Sequence, residues 1–378
     1  MYNTFKLSNG LKVVVESIDY VNSVSVGLWI ENGSRNENLS NNGISHFIEH
    51  MLFNSLFSEE DIEKEKGVVI EEINMTEDSP EDVLSDLHSL AVWGEDPISL
   101  PILGSIQNVK SFTQKQIKDY IGLHYIPNNS VLSISGKVSI SNIESLIEKY
   151  FGKWENKQGV PTIYTSPEIL SRNLVKNKPI EQLHLSLGIP GIESGNDEIY
   201  SLLILNNILG GGASSILFQK IREELGICYS IYSYIASYKN TGLVSIYTGL
   251  NPSYVEEALN LIGEELNYFS THGITKERLE KGKEQLKGSY ILGLESTSSR
   301  MFSNGKSLLF LNRINSPEEI MKKIDNISME SIDTVQNKTF RKGIRNSSFV
   351  GEDLELEKVL SILEGDTFAF KNQKSVRV

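Results

Sequence analysis

His46 and His50 stand four positions apart with Glu49 between them, in the run His46-Phe47-Ile48-Glu49-His50. In a helix, residues at i and i+4 lie one above the other on a single face, so the two imidazoles share one space. Glu49 falls three positions after His46 and opens toward the same side. Two neutral nitrogen ligands, a coordination position left for water and a carboxylate able to take a proton are what metal-assisted peptide hydrolysis requires, and zinc suits such ligands. The order H-x-x-E-H reverses the commoner H-E-x-x-H. Two surface histidines on an amphipathic helix would give the same five residues.

The surrounding elements decide how such residues are held. Val24 to Ile30 reads as a buried strand, and the loop from Glu31 to Glu37 is polar. Asn41-Asn42-Gly43 offers a helix start with an Asn cap. From Ile44, apolar side chains at 44, 47, 48, 51 and 52 form a core stripe, with His46, Glu49 and His50 at its margin. A third ligand must come from another segment. The helix after Ser58 carries Glu59, Glu60, Glu63, Glu65, Glu71 and Glu72, most of them a solvated face. Glu65 and Glu72, seven apart, lie beside the stripe of Ile62, Val69 and Ile73, yet pattern alone does not choose between them.

Bulk properties exclude several classes. At 378 residues two domains are expected. A formal charge of −13 argues against nucleic acid or an anionic membrane surface as the main partner. Cys228 is the single cysteine, so no intrachain disulfide forms. The first residues do not read as a signal peptide, and no run approaches the roughly 18 apolar residues of a membrane span. A protein of the cytoplasm is expected. His88, His124, His184 and His272 show no ligand spacing and read as structural or surface residues.

Gly33-Ser34-Arg35, Asn42-Gly43-Ile44-Ser45-His46-Phe47-Ile48-Glu49-His50-Met51-Leu52-Phe53 and Glu65-Lys66-Gly67-Val68-Val69-Ile70-Glu71-Glu72-Ile73 resemble the pitrilysin/insulinase family of zinc peptidases, the inverzincins. Within it the chain is most similar to bacterial relatives of mitochondrial processing peptidase. The likeness continues through Pro101-Ile102-Leu103-Gly104, His124-Tyr125-Ile126-Pro127-Asn128-Asn129, Leu209-Gly210-Gly211-Gly212 and Arg222 to Tyr229. The resemblance implies that His46, His50 and Glu72 bind Zn2+, that Glu49 is the general base, and that Glu65 supports the site. It further implies that Arg222 and Tyr229 hold substrate and stabilise an oxyanion. On their residues alone, Arg222 is equally a helix-end charge and Tyr229 a strand aromatic.

The chain also repeats itself. Val24-Ser25-Val26-Gly27-Leu28 and the helix after it are echoed by Leu185-Ser186-Leu187-Gly188-Ile189 and the helix from Ile199, at an offset of 161. On that register His46, Glu49 and His50 face Asn207, Gly210 and Gly211, so the second half has no metal site. Phe57 to Lys64 resembles Ile274 to Lys281 at an offset of 217, a jump of 217 − 161 = 56. The first half therefore lacks about 56 residues that the second keeps: two strand-like segments, Ile227 to Ser237 and Leu243 to Gly249, and the helix from Pro252 to Phe269. Met51-Leu52-Phe53 reads as the fused remnant of both sides of the gap. The loss removes an edge strand along which, in the family, substrate pairs. It also endangers the third ligand, because a simple helical hairpin would carry Glu72 roughly 13 Å past the metal.

The expected fold is α+β: two related domains, each a mostly antiparallel sheet packed with helices, the first abbreviated. Residues 1–155 form the first, 156–179 a linker and 180–378 the second. The expected function is zinc-dependent hydrolysis of peptides or unfolded protein segments, by a homodimer or a heterodimer with a related subunit. The alternative is a non-catalytic peptidase-like partner that binds peptides. The loss of 56 residues favours that alternative; Glu49, which binding alone does not need, favours the enzyme.

Overall fold

The computed structural model describes residues 2–52, 57–156, 159, 162–352, 354, 356–363 and 374–377. Three strands open the chain: β1 (Tyr2–Lys6), β2 (Lys12–Ser17) and β3 (Val24–Ile30). Helices α1 (Ile44–Leu52), α2 (Glu59–Asp78), α3 (Pro80–Trp93), α4 (Ile106–Ser111) and α5 (Gln114–His124) follow, then β4 (Ser130–Gly136) and α6 (Ile140–Phe151). The second half runs β5 (Arg172–Asn177), β6 (Leu183–Pro190), α7 (Ile199–Leu209), β7 (Cys228–Tyr238), β8 (Thr241–Leu250), α8 (Val255–His272), α9 (Lys276–Gly293) and α10 (Thr297–Leu311). It ends with α11 (Pro317–Asp325), α12 (Met329–Lys338), β9 (Asn346–Gly351), α13 (Leu356–Leu363) and β10 (Lys374–Arg377).

Two sheets result, ordered β1-β2-β4-β3 and β10-β5-β9-β6-β8-β7. In the first, β2 runs parallel to β4, and β4 antiparallel to β3. In the second, β5 runs parallel to β9, and β9 antiparallel to β6. The shared pattern equates β2-β4-β3 with β5-β9-β6. Beyond β6 the second sheet continues into β8 and β7, whereas among the described residues nothing pairs beyond β3. The first sheet is thus shorter by the two strands that the offset of the repeat assigns to the gap. The fused Met51-Leu52-Phe53 lies partly outside the described residues, since Phe53 is not among them.

Packing groups the chain into two compact units that do not follow the order of the sequence: residues 1–69, 102–163 and 287–320 form one, residues 70–101, 164–286 and 321–378 the other. The sheet of the first unit takes a helix from the second half of the chain. Leu308 and Leu309 of α10 close a core with Val14, Val131 and Trp29. Asn304 Nδ2 donates to buried Glu16 at 2.8 Å, and Arg300 pairs with the same carboxylate. The sheet of the second unit takes α3, whose Val83, Leu84, Leu87 and Ala91 bury against Leu174, Tyr247 and Val350. His88 of α3 is enclosed with its Nδ1 3.2 Å from Ser348 Oγ, and burial pushes its pKa down to about 4.

Two expectations need correction. β3 is a strand, but not a buried one: Val24, Val26 and Leu28 are 46%, 60% and 42% exposed, and among the described residues β3 ends its sheet where the buried β6 lies inside its own. The stretch 156–179, expected as linker, contains β5. Its Arg-Asn-Leu-Val-Lys-Asn sequence has little strand character of its own; pairing with β9 and β10 on either side makes it a strand.

Candidate metal centre and companion cleft

Helix α1 forms where the apolar period placed it. Ile44, Phe47, Ile48 and Met51 are buried, while Leu52, counted in the same stripe, is exposed. The asparagines before α1 bond within the loop that leads to it. Asn41 Oδ1 accepts from Asn38 N at 2.7 Å, and Asn42 Nδ2 donates at 3.1 Å to Glu37. Glu37 itself takes the orphan helix donors, accepting from Gly43 N at 2.7 Å and Ser45 N at 2.8 Å. Gly43 has a φ of +95°, and a β-carbon there would meet Leu103 O at 2.5 Å, so only glycine lets the backbone of 103–104 pass so close.

His46 and His50 project from one face of α1, their rings 4.7 Å apart. Helix α2 supplies the carboxylates. Its Ile62, Val69 and Ile73 are buried, which turns Glu65 and Glu72 toward the histidines. Glu65 Oε1 lies 2.8 Å from His50 Nδ1. One ligand atom each from His46, His50 and Glu72 all fall within 4.8 Å of one another, and each residue is half-buried. Glu65 and Glu72 are about 10 Å apart along α2, and their side chains lean inward to the two histidines. The two helices therefore do not stack as the simple hairpin that would have carried Glu72 past the site.

This set fits a zinc ion. Bonds of about 2.0–2.2 Å in a tetrahedral arrangement need ligand atoms about 3.4 Å apart, inside the 4.8 Å within which these three atoms lie. With Glu65 at Nδ1, His50 presents Nε2, and a carboxylate behind the ring is the usual orienting partner of a metal-binding imidazole. Glu49 is exposed beside His50. Close by is Tyr125, a residue that the reading of the sequence placed only inside a motif. Burial pushes its phenol up, helped by Tyr120 and by the negative charges of Glu37 and Glu49.

Arg222 and Tyr229 come together in the second unit. Arg222 lies in the last turn of a π-helical stretch, Phe218–Glu224, and its Nε donates to Tyr229 O at 2.8 Å. Its guanidinium lies over the rings of Phe218 and Tyr229, at 4.7 and 6.0 Å. Tyr229 sits at a break in the register of β7 against β8, and such a bulge re-aims a side chain; it is 79% exposed. With Gly210 to Gly212 these residues line a cleft of about 580 Å³. At Gly210 a β-carbon would meet Ser233 N at 2.7 Å, and Ser233 N donates to Gly210 O at 2.8 Å, so the end of α7 seals the edge of β7 there. The π-helix left no signal in the sequence, since its residues suit an α-helix equally.

The remaining histidines have structural partners. His184 Nδ1 lies 2.9 Å from Tyr247 Oη, His124 packs on Tyr120, and His272 stacks on Tyr268. Among the described residues, no helix is long and apolar enough to cross a membrane.

Residues 12–55 match the family described as Insulinase (Peptidase family M16), and residues 111–286 match Peptidase M16 inactive domain. An uncharacterized zinc protease of Bacillus subtilis, YmxG, is 36% identical over 90% of this chain and 96% of its own length. That alignment spans 394 positions, while 90% of this chain is about 340 residues, so about 54 positions of the relative face no residue here. An uncharacterized zinc protease of Rickettsia felis is 31% identical over 93% of this chain and 97% of its own length. A crystal structure of a Helicobacter pylori protease covers 93% of this chain and 99% of its own, with a TM-score of 0.83 at 20% identity. A chain of Complex III2 from Candida albicans covers 95% and 99%, with a TM-score of 0.82 at 20% identity. The two profile matches and the identity to full-length relatives make this chain a member of the insulinase family of peptidases, M16.

Proposed function

We propose that the protein is a zinc metallopeptidase acting on peptides or unfolded segments. The observation that carries this reading is the convergence of His46, His50 and Glu72 with Glu49 alongside. The two imidazoles and Glu72 would hold Zn2+, which when bound would supply Lewis acidity toward a carbonyl and toward water. Glu49 takes the proton of the attacking water and returns it to the departing amine. Glu65 keeps His50 in the tautomer that presents Nε2. Arg222 and Tyr229, on their glycine-walled cleft, hold substrate and meet developing negative charge.

Two relatives named as zinc proteases support the metal, and the Complex III2 chain supports assembly with a second, related subunit or a second copy. The second reading, a peptide-binding subunit without catalysis, is favoured by one observation: the first sheet ends at β3, without the edge strands of the second. Purified protein is assayed for bound zinc and for cleavage of an unstructured peptide, beside Glu49→Gln. The peptidase reading expects one zinc per chain and a cleavage rate that drops about 10²-fold or more in the variant. Zinc-free or inert wild type rejects it and leaves the binding subunit.

A further inference from the structure

The buried carboxylate beneath the start of α1 has a geometry that no ligand role explains. Glu37 is 3% exposed and lies seven positions before α1 begins. Both of its oxygens are engaged: Oε2 accepts from Gly43 N and Asn42 Nδ2, Oε1 from Ser45 N. A carboxyl group at this depth is tolerated only when its oxygens are hydrogen-bonded so fully, and the first turn of a helix offers the backbone donors to do it. Ser45 is gripped from the other side as well. Asn32 Nδ2 donates to its Oγ at 3.0 Å, Tyr120 Oη lies 3.2 Å from that Oγ, and Tyr120 Oη donates to Asn32 Oδ1 at 3.1 Å. Ser45 directly precedes His46, so the backbone on which the first imidazole stands is held between Glu37 and this triangle. The close passage of Gly43 over Leu103 and Gly104 blocks the remaining direction of movement.

We propose that Glu37 is a positioning residue for the metal centre: its carboxylate fixes the first turn of α1 and thereby aims His46 at the space shared with His50 and Glu72. This rests on the metal reading above. A cap of one serine or asparagine would satisfy one backbone donor; a carboxylate satisfies two and resists rotation of the turn about either. The buried Ile44, Phe47, Ile48 and Met51 fix the side of α1 that faces the core, and Glu37 fixes the turn from which His46, its third residue, projects. A small rotation at the first turn moves the His46 nitrogen off a bond of about 2 Å.

The test measures zinc affinity by chelator competition in the full chain for wild type, Glu37→Gln, Glu37→Asp and Val13→Ala. Val13 is fully buried in the core of the first unit, among Leu11, Val15 and Leu132, and serves as a control for lost stability alone. Glu37→Gln places amide protons where acceptors are needed. It is expected to weaken zinc binding about tenfold or more, the scale on which outer supports of metal ligands act. Val13→Ala, despite a lower unfolding temperature, is expected to bind zinc as wild type does. Glu37→Asp keeps the charge but reaches fewer donors, and it is expected to fall between the two. If Glu37→Gln fails to fold, the Asp variant decides. Unchanged zinc affinity in the Glu37 variants, or a loss no larger than that of Val13→Ala, overturns the proposal. Wild type that binds no zinc is a different failure: it removes the metal reading, and this proposal with it.

Discussion

Glu65 Oε1 stands 2.8 Å from His50 Nδ1, which gives the second imidazole a fixed orientation before any metal arrives. A ring held this way loses little freedom on binding an ion, and its Nε2 lone pair is already aimed. Glu65→Gln is expected to weaken zinc binding by about ten- to a hundredfold, because an amide can leave the ring in either tautomer. Chelator competition gives the number; affinity equal to wild type would show that the pair is only a surface contact.

Arg222 and Tyr229 are joined through a backbone oxygen, so their roles can be separated. Arg222→Ala removes both the guanidinium and the bond that steadies the bulge at Tyr229. The expected result is a drop in kcat of about 10²-fold for peptide cleavage, the cost of losing one oxyanion donor, with zinc content unchanged. Tyr229→Phe keeps the ring and the backbone contact and is expected to lose less. Equal kinetics in wild type and Arg222→Ala would return Arg222 to a plain helix-end charge.

His88 ties α3 to the second sheet, and its burial makes that tie sensitive to pH. Its pKa falls from an ordinary 6.5 to about 4 on folding, so the unfolded chain binds the proton first as pH drops. The contribution to stability is complete above pH 6.5 and is lost as pH falls toward 4, by about 3 kcal/mol. Asp86 works in the opposite sense: burial, then Glu77 and Asp82, push its carboxyl up to about 6, so its contribution is lost as pH rises through that value. Their slopes overlap, and the wild-type curve alone would mask both. Denaturant melts of wild type and His88→Gln across pH 4 to 7 isolate the histidine; parallel curves would show that His88 is not titrating in this way.

The open edge of the first sheet should be adhesive. Lys137 N donates to Ser23 O and Glu31 N to Asn129 O, so the odd-numbered residues of β3 face β4. The backbone groups of Val24, Val26 and Leu28 then point outward, next to apolar side chains. Such an edge invites pairing with another strand. Sedimentation at rising protein concentration is expected to show more self-association for wild type than for Val26→Lys, and identical behaviour would argue that the edge is covered.

How much of this was readable from the sequence varies with the kind of cause. Local causes were visible. The apolar period of α1 was clear, the repeat gave β7, β8 and α8 with small errors at their ends, and the offset of 56 agrees with a first sheet of four strands against six. Causes that depend on distant partners were not. β5 is a strand because β9 and β10 flank it, and α1 is capped by Glu37 because the loop between them folds back. The approach of Glu72 depends on how two helices cross, which no spacing along one chain encodes.

The exchange of α3 and α10 also sets a timetable for synthesis. β4 ends at residue 136, but α10, which buries Val14, Val131 and Trp29, begins only at residue 297. At about 5–20 residues per second a ribosome needs roughly ten to thirty seconds to make that interval. For all that time the nascent first sheet carries one uncovered apolar face in addition to its open edge. A chain cut short before residue 297 keeps every proposed metal ligand and still lacks the helix that covers the first sheet.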